Sequence, residues 1–207
     1  MDPFRVKLTT LGLFMVGKTS IINQLISNQL DPTRPTINCT YYSKTYSFPD
    51  SFTCSLDIYD TAGQERYSSL TQTYLHGSKI VFFVVDLSIP QTSELLNKNI
   101  QLVKKMSDSL DLDQTIIYLI GNKSDLLDDQ DLQKIDLQRI FRSIISPKRI
   151  FKISAKTRYN FDKMEQKLKD DLKTLYQLQY QKNEKIQRTV TLTSDNNVKT
   201  KKNDSCC

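Results

Sequence analysis

The stretch Gly12-Leu13-Phe14-Met15-Val16-Gly17-Lys18-Thr19 constrains this chain more than any other. It matches G-x-x-x-x-G-K-[S/T], a pattern whose meaning depends on what flanks it. Val6-Lys7-Leu8-Thr9-Thr10-Leu11 before it is short and β-prone, and the run from Ser20 to Ile26 behind it is helical in spacing. Strand, loop and helix in that order turn backbone N–H groups and a helix N-terminus toward one point, which suits a phosphate anion. Gly12, Val16, Gly17 and Ser20 belong to that cradle, Lys18 is placed to reach outer phosphates, and the Thr19 hydroxyl suits Mg²⁺. Phe14 and Met15 are large where such loops often carry small residues.

Beyond the loop the chain alternates strand-like and helix-like segments. Strands are expected at 4–11, at about 37–48 and 52–59 as a hairpin across Pro49-Asp50-Ser51, at 80–85, at 115–120 and at 150–153. Ile80-Val81-Phe82-Phe83-Val84-Val85 is apolar throughout, the mark of a strand covered on both faces. Helices are expected at 18–28, 68–76 and 91–107, at a segment marked by Leu132, Ile135, Ile140, Phe141, Ile144 and Ile145, and at 161–176. Repeated strand–helix units predict an α/β fold, a mostly parallel six-stranded sheet with helices on both faces. Ligands in such a fold sit beyond the carboxyl ends of the strands, so the loops that follow strands carry the chemistry.

At 207 residues the chain is long enough for one domain of ordinary core, read here as residues 1–176, with an appendage at 177–207. No apolar run reaches 18 residues, so no spanning helix is expected. Met1-Asp2-Pro3-Phe4-Arg5 lacks a signal-peptide core and the glycine that myristoylation needs. The net charge of +6 is modest, and residues 179–207 hold six of the basic and three of the acidic residues. The tail is therefore denser in positive charge, while no concentrated basic patch suggests nucleic acid. Rich in Gln, Asn, Thr and Lys, the tail is expected to be a flexible spacer. Cys39 and Cys54 fall in β-like runs without zinc-type spacing, and one histidine, His76, leaves little for His-based chemistry. Cys206 and Cys207, ending a polar basic tail, read as a lipid-attachment site.

The post-strand loops carry three further motifs. In Asp60-Thr61-Ala62-Gly63-Gln64-Glu65-Arg66-Tyr67 the acid at a strand end can hold Mg²⁺ through water. Gly63 can offer a backbone N–H to a terminal phosphate, and Gln64 can orient an attacking water. Gly121-Asn122-Lys123-Ser124-Asp125 and Ser154-Ala155-Lys156 follow the next strands.

These four motifs, in this order and spacing, resemble the Ras superfamily of small GTPases over about residues 4–176. Asp60 to Tyr67 and the terminal Cys206-Cys207 are similar to its Rab branch. The resemblance implies a P-loop NTPase G domain that binds GTP or GDP with Mg²⁺. It implies that Thr36 reaches Mg²⁺ and the γ-phosphate in the GTP state, beside Thr19 and Asp60. Gly63 would sense the γ-phosphate and Gln64 would position the water. Asn122, Lys123 and Asp125 match the guanine-reading motif. Asp125 would accept from guanine N1–H and N2–H, Ala155 would offer its N–H to guanine O6, and Lys156 would pack over the base. The implied activity is slow GTP hydrolysis in a monomeric, membrane-anchored switch of vesicle and protein transport. The implied partners are an exchange factor, a GTPase-activating protein, effectors, a GDP-dissociation inhibitor and a prenylation escort. The implied place is the cytoplasmic face of an endomembrane, with Ser43-Lys44-Thr45 and Glu65 to Leu70 pointing to Golgi or endosome.

Several positions depart from that pattern. Phe14 and Met15 stand where the branch has glycine or another small residue. Phe14 either crowds the γ-phosphate and Gln64 or turns outward onto switch II, and the first case makes hydrolysis slow. The alternative function is a GTP-binding interaction module with little or no hydrolysis. Leu30 replaces the aromatic that stacks on guanine, and the stretch from it to Thr36 is one residue shorter than usual. Asn38, Cys39 and Thr40 depart from the usual switch I, and Tyr59 replaces a tryptophan, so effector identity does not follow from the resemblance.

Overall fold

A computed structural model describes residues 3–29, 36–49, 52–63, 73–90, 93–138 and 149–199. The expectations for Leu30, Gln64, Cys206 and Cys207, and for Ile140, Phe141, Ile144 and Ile145, lie outside these residues. By compactness the chain divides into two units, Met1–Lys167 and Leu168–Cys207.

The first unit is a six-stranded sheet. Its strands are β1 (Phe4–Leu11), β2 (Thr40–Ser47), β3 (Thr53–Asp60), β4 (Ile80–Asp86), β5 (Ile116–Asn122) and β6 (Arg149–Lys152), in the order β2-β3-β1-β4-β5-β6. Only β2, hairpinned to β3, runs antiparallel; the other pairings are parallel. The carboxyl ends of β1, β3, β4, β5 and β6 therefore lie along one edge. All seven residues of β4 are buried, as its unbroken apolar run demands of a central parallel strand. On one face Val81, Phe83 and Val85 join Leu11, Leu75, Val103, Leu119 and Leu137 in a core cluster. Phe82 meets Tyr118 at a tilt of 52°, and Tyr118 stacks on Phe151, at ring separations of 5.1 and 5.9 Å.

Helix α1 (Lys18–Ser27) starts on the left-handed Gly17 and ends on the left-handed Asn28, whose N–H returns to the Gln24 carbonyl. Its apolar residues Ile21, Ile22 and Leu25 are fully buried, worth on the order of 1.5–3 kcal/mol each. Helix α2 (Ser93–Ser107) follows β4, and a short α3 (Asp129–Lys134) is capped by Asp128, whose side chain accepts from Asp131 N–H. Strand β2 begins at Thr40, three residues later than the apolar pattern from Ile37 suggests. Ile37 is exposed and finds no face to cover.

Helix α4 (Phe161–Lys199) begins in the first unit and continues through the second. The boundary expected at 176/177 falls inside it, and the stretch read as a flexible spacer is helical to Lys199. Residues 177–199 contain neither glycine nor proline, so neither of the strongest helix breakers interrupts them. Apolar periodicity reports burial, and helix extent follows backbone propensity as well. Among the described residues no helix is long and apolar enough to cross a membrane.

Candidate functional site

A cavity of about 430 Å³ opens at the carboxyl edge of the sheet, within the size range of ligand clefts. Five separate loops meet there. The loop after β1 contributes Phe14, Met15, Gly17 and Lys18, and α1 adds Thr19 and Ser20. Thr36 comes from the segment before β2, Thr61 and Gly63 from beyond β3, Asn122, Lys123 and Asp125 from the end of β5, and Ala155 and Lys156 from beyond β6. Gly12, Val16, Asp60 and Ser154 are not part of the wall; they hold the residues that are.

The glycines answer to close approach. Gly17 has φ 95°, and a Cβ there would collide with the Asn122 amide; a Cβ on Gly63 would crowd Leu13 O and Lys18 Nζ. Met15 adopts φ 60° although it carries a side chain, a conformation that costs roughly 1–2 kcal/mol outside glycine. The Lys18 ammonium is buried and donates to the carbonyls of Gly12 (3.0 Å) and Leu13 (2.9 Å). Desolvation lowers its pKa to about 8, against the opposing pull of Asp60. A phosphate anion beside it would favour the charged form further.

A cluster of hard oxygens sits next to Lys18. Thr19 Oγ1 donates to Asp60 Oδ2 at 2.5 Å and lies 2.6 Å from Thr36 Oγ1. Asp60 is fully buried, its other oxygen accepts from Thr10 Oγ1 at 3.0 Å, and burial raises its pKa while the Thr19 and Thr10 bonds and Lys18 lower it. Two hydroxyls and one carboxylate fit Mg²⁺, which keeps several waters and takes substrate phosphates as further ligands. Among the described residues no group of three or more His, Cys, Asp or Glu offers a closed metal cage. Thr10 was missed by the motif reading. It also bonds Thr61 twice, through its own Oγ1 and its carbonyl, so it holds the whole turn after β3. A threonine at the buried end of a strand was the available signal.

Asn122, Lys123, Asp125, Ala155 and Lys156, expected from the resemblance to read guanine, line one cavity. Asn122 Nδ2 donates to Val16 O, and its Oδ1 accepts the Ala155 N–H, each at 3.0 Å. The Ala155 N–H staples the β6 loop to the phosphate loop through Asn122, which is buried between them and whose amide needs partners on both sides. Lys123 reaches back to Asp86 Oδ2 at 2.6 Å, a contact the motif does not specify. Asp125 is exposed to the cavity, where Ser154 Oγ donates to one of its oxygens at 2.6 Å. The Ser154 hydroxyl also accepts the Thr157 N–H. Arg158 closes the loop onto α1, donating to the Gln24 side chain at 2.9 Å and to Asn28 Oδ1 at 3.1 Å. Leu126, exposed beside Asp125, completes the cavity wall.

The family and relatives of the chain follow from comparison with known proteins. The model of the Ras family matches residues 7–174. A putative Ras-related protein Rab-5B from Dictyostelium discoideum is 39% identical over 121 residues, 58% of this chain and 54% of that protein. Ras-related protein Rab-17 from Mus musculus is 28% identical over 131 residues, 63% of this chain and 59% of the relative. The Homo sapiens Rab-17 is 29% identical over 131 residues, 63% and 60%. The matched stretch thus spans between 54% and 60% of these curated relatives.

Proposed function

The chain belongs to the Ras family of small GTPases, in its Rab branch, and from that premise we propose that it is a GTP/GDP switch of vesicle transport, anchored through its tail to the cytoplasmic face of an endomembrane. The observation that supports this most is convergence. The phosphate loop, the Thr19–Thr36–Asp60 oxygen cluster and Asp125 with Lys156 border or back one cavity.

In this reading Gly17, Lys18 and Ser20 hold the phosphates, with the backbone doing most of the holding. Thr19 and Thr36 give their hydroxyls, and Asp60 its carboxylate through water, to Mg²⁺. When bound, Mg²⁺ supplies charge neutralisation on the outer phosphate oxygens. Gly63 approaches the terminal phosphate, Gln64 orients a water, and no protein nucleophile is needed. Asp125 accepts from guanine N1–H and N2–H, which adenine lacks. Loss of the terminal phosphate releases Thr36 and Gly63, so the output is a changed binding surface. Exchange factor, activating protein and effectors read that surface. A GDP-dissociation inhibitor and a prenylation escort handle lipid on Cys206 and Cys207. Two chains anchor stably where one is marginal.

Phe14 and Met15 both line the cavity. That observation favours slow hydrolysis, and at its limit a GTP-binding module that does not turn over. Chromatography of nucleotide released from the purified full chain, followed by single-turnover cleavage of loaded GTP, tests both readings. Equal retention of ATP and GTP would sink the guanine reading, while GTP retained without cleavage selects the module.

A further inference from the structure

The Asp60 carboxylate is held from the strand beside it. Strand β1 runs between β3 and β4, and Thr9 stands opposite Tyr59, which brings Thr10 next to Asp60. Both residues are fully buried. The Thr10 hydroxyl donates to Asp60 Oδ1 at 3.0 Å and accepts the Thr61 N–H at 3.0 Å. A backbone N–H can only donate, so the one hydroxyl proton of Thr10 is committed to the carboxylate. Thr61 Oγ1 closes the arrangement by donating to the Thr10 carbonyl at 2.8 Å. Asp60 Oδ2 is left for Thr19 Oγ1 at 2.5 Å, and Thr36 Oγ1 lies 2.6 Å from that hydroxyl. One carboxylate oxygen is thus tied to the sheet, and the other meets the hydroxyl pair.

We propose that Thr10 is a positioning residue for Mg²⁺: its hydroxyl fixes how the Asp60 carboxylate is turned, and so sets Mg²⁺ affinity and the rate of nucleotide release. The proposal rests on the nucleotide and Mg²⁺ reading given above. Thr10 precedes the phosphate loop and belongs to none of the four motifs. A partner one bond behind a metal-binding group orients that group, and its loss typically costs about 10–100-fold in metal affinity. Thr10 suits this task because β1 is paired on both sides, to β3 and to β4. A neutral hydroxyl also orients the carboxylate without cancelling the charge that attracts the cation, as a lysine in its place would.

The test measures release of N-methylanthraniloyl-GDP from the purified full chain over a series of free Mg²⁺ concentrations, ending in excess EDTA. Thr10→Val fills the same space without the hydroxyl, and is expected to raise the Mg²⁺ midpoint by about tenfold or more. Thr10→Ser keeps the hydroxyl and is expected to stay within about threefold of the unaltered chain. In excess EDTA the three release rates are expected to agree within about twofold, because no Mg²⁺ is left for Asp60 to hold. Should Thr10→Val fail to fold, Thr10→Ala, also without a hydroxyl, carries the same comparison. A variant lacking the hydroxyl whose midpoint rises by less than about threefold overturns the proposal. So does a Thr10→Ser midpoint as high as that variant's, or a variant that speeds release as much in EDTA as in saturating Mg²⁺, which would mark Thr10 as merely structural. Release from the unaltered chain that ignores Mg²⁺ altogether would remove the underlying Mg²⁺ reading, and the proposal with it.

Discussion

Phe14 is the residue at which the proposed slow hydrolysis is best tested, because it lines the cavity at the carboxyl edge of the sheet. It borders that cavity while remaining 44% exposed. Phe14→Gly is therefore expected to raise single-turnover GTP cleavage by about tenfold or more; an unchanged rate would show that the ring is no obstacle. Asp125 makes a second residue-level test. Asp125→Asn puts an N–H where guanine N1–H and N2–H need an acceptor, so GTP affinity is expected to fall by roughly 10²-fold or more. Xanthosine triphosphate, with a carbonyl at that edge, should bind the variant better than GTP does. Equilibrium titration with both nucleotides checks the pair, and an unchanged GTP affinity would remove Asp125 from base recognition.

At the scale of elements, the β2–β3 hairpin is tied to the first turns of α4 and to the end of α1. Lys44 donates to Leu25 O and, at 2.9 Å, to Glu165 Oε1, which also accepts from Tyr46 Oη at 3.2 Å. Burial, with Glu165 adding, pushes the Tyr46 phenol far above its ordinary value, so it stays a donor. Glu165→Ala leaves Lys44 and Tyr46 without this acceptor in a half-buried site, a loss of roughly 1–3 kcal/mol. Thermal unfolding is expected about 3–10 °C lower, with Glu165→Gln less affected because its amide oxygen still accepts. Equal melting of Ala and Gln variants would mean that the hydrogen bonds contribute little.

At the scale of the whole molecule, the oxygen cluster is mostly neutral ligands around one carboxylate, so the nucleotide supplies much of the attraction for Mg²⁺. Chelation with EDTA is expected to speed nucleotide release and to lower the melting temperature, because a ligand bound only to the native state stabilises it by mass action. A release rate indifferent to EDTA would contradict the assignment of Thr19, Thr36 and Asp60. Stability also responds to alkali. Burial, with Asp57 adding, lifts the Cys54 thiol from 9.0 to about 12. The unfolded chain then loses this proton first, so stability falls as pH rises above 9.0, by at most about 1.4 kcal/mol per pH unit from this group. Cys54→Val should flatten the urea-midpoint slope between about pH 9 and 10.5 by up to one proton; an unchanged slope would place the titration elsewhere.

What the sequence determined by itself was whatever short range carries. Gly12, Gly17, Lys18 and Thr19 specify a phosphate loop because its donors are consecutive backbone groups, and the runs at 80–85 and 115–120 specify buried strands because burial imprints composition. Tertiary structure decided the partners. Thr36 and Asp60 are 17 and 41 residues from Thr19, and Asn122 is 106 from Val16, and no local period encodes which of a residue's polar atoms meets which. That is why the bonds of the Ala155 N–H to Asn122 and of Lys123 to Asp86 are visible only in the fold. The extent of α4 escaped for a different reason: an apolar period records only what is buried, and past Tyr176 there is none to follow.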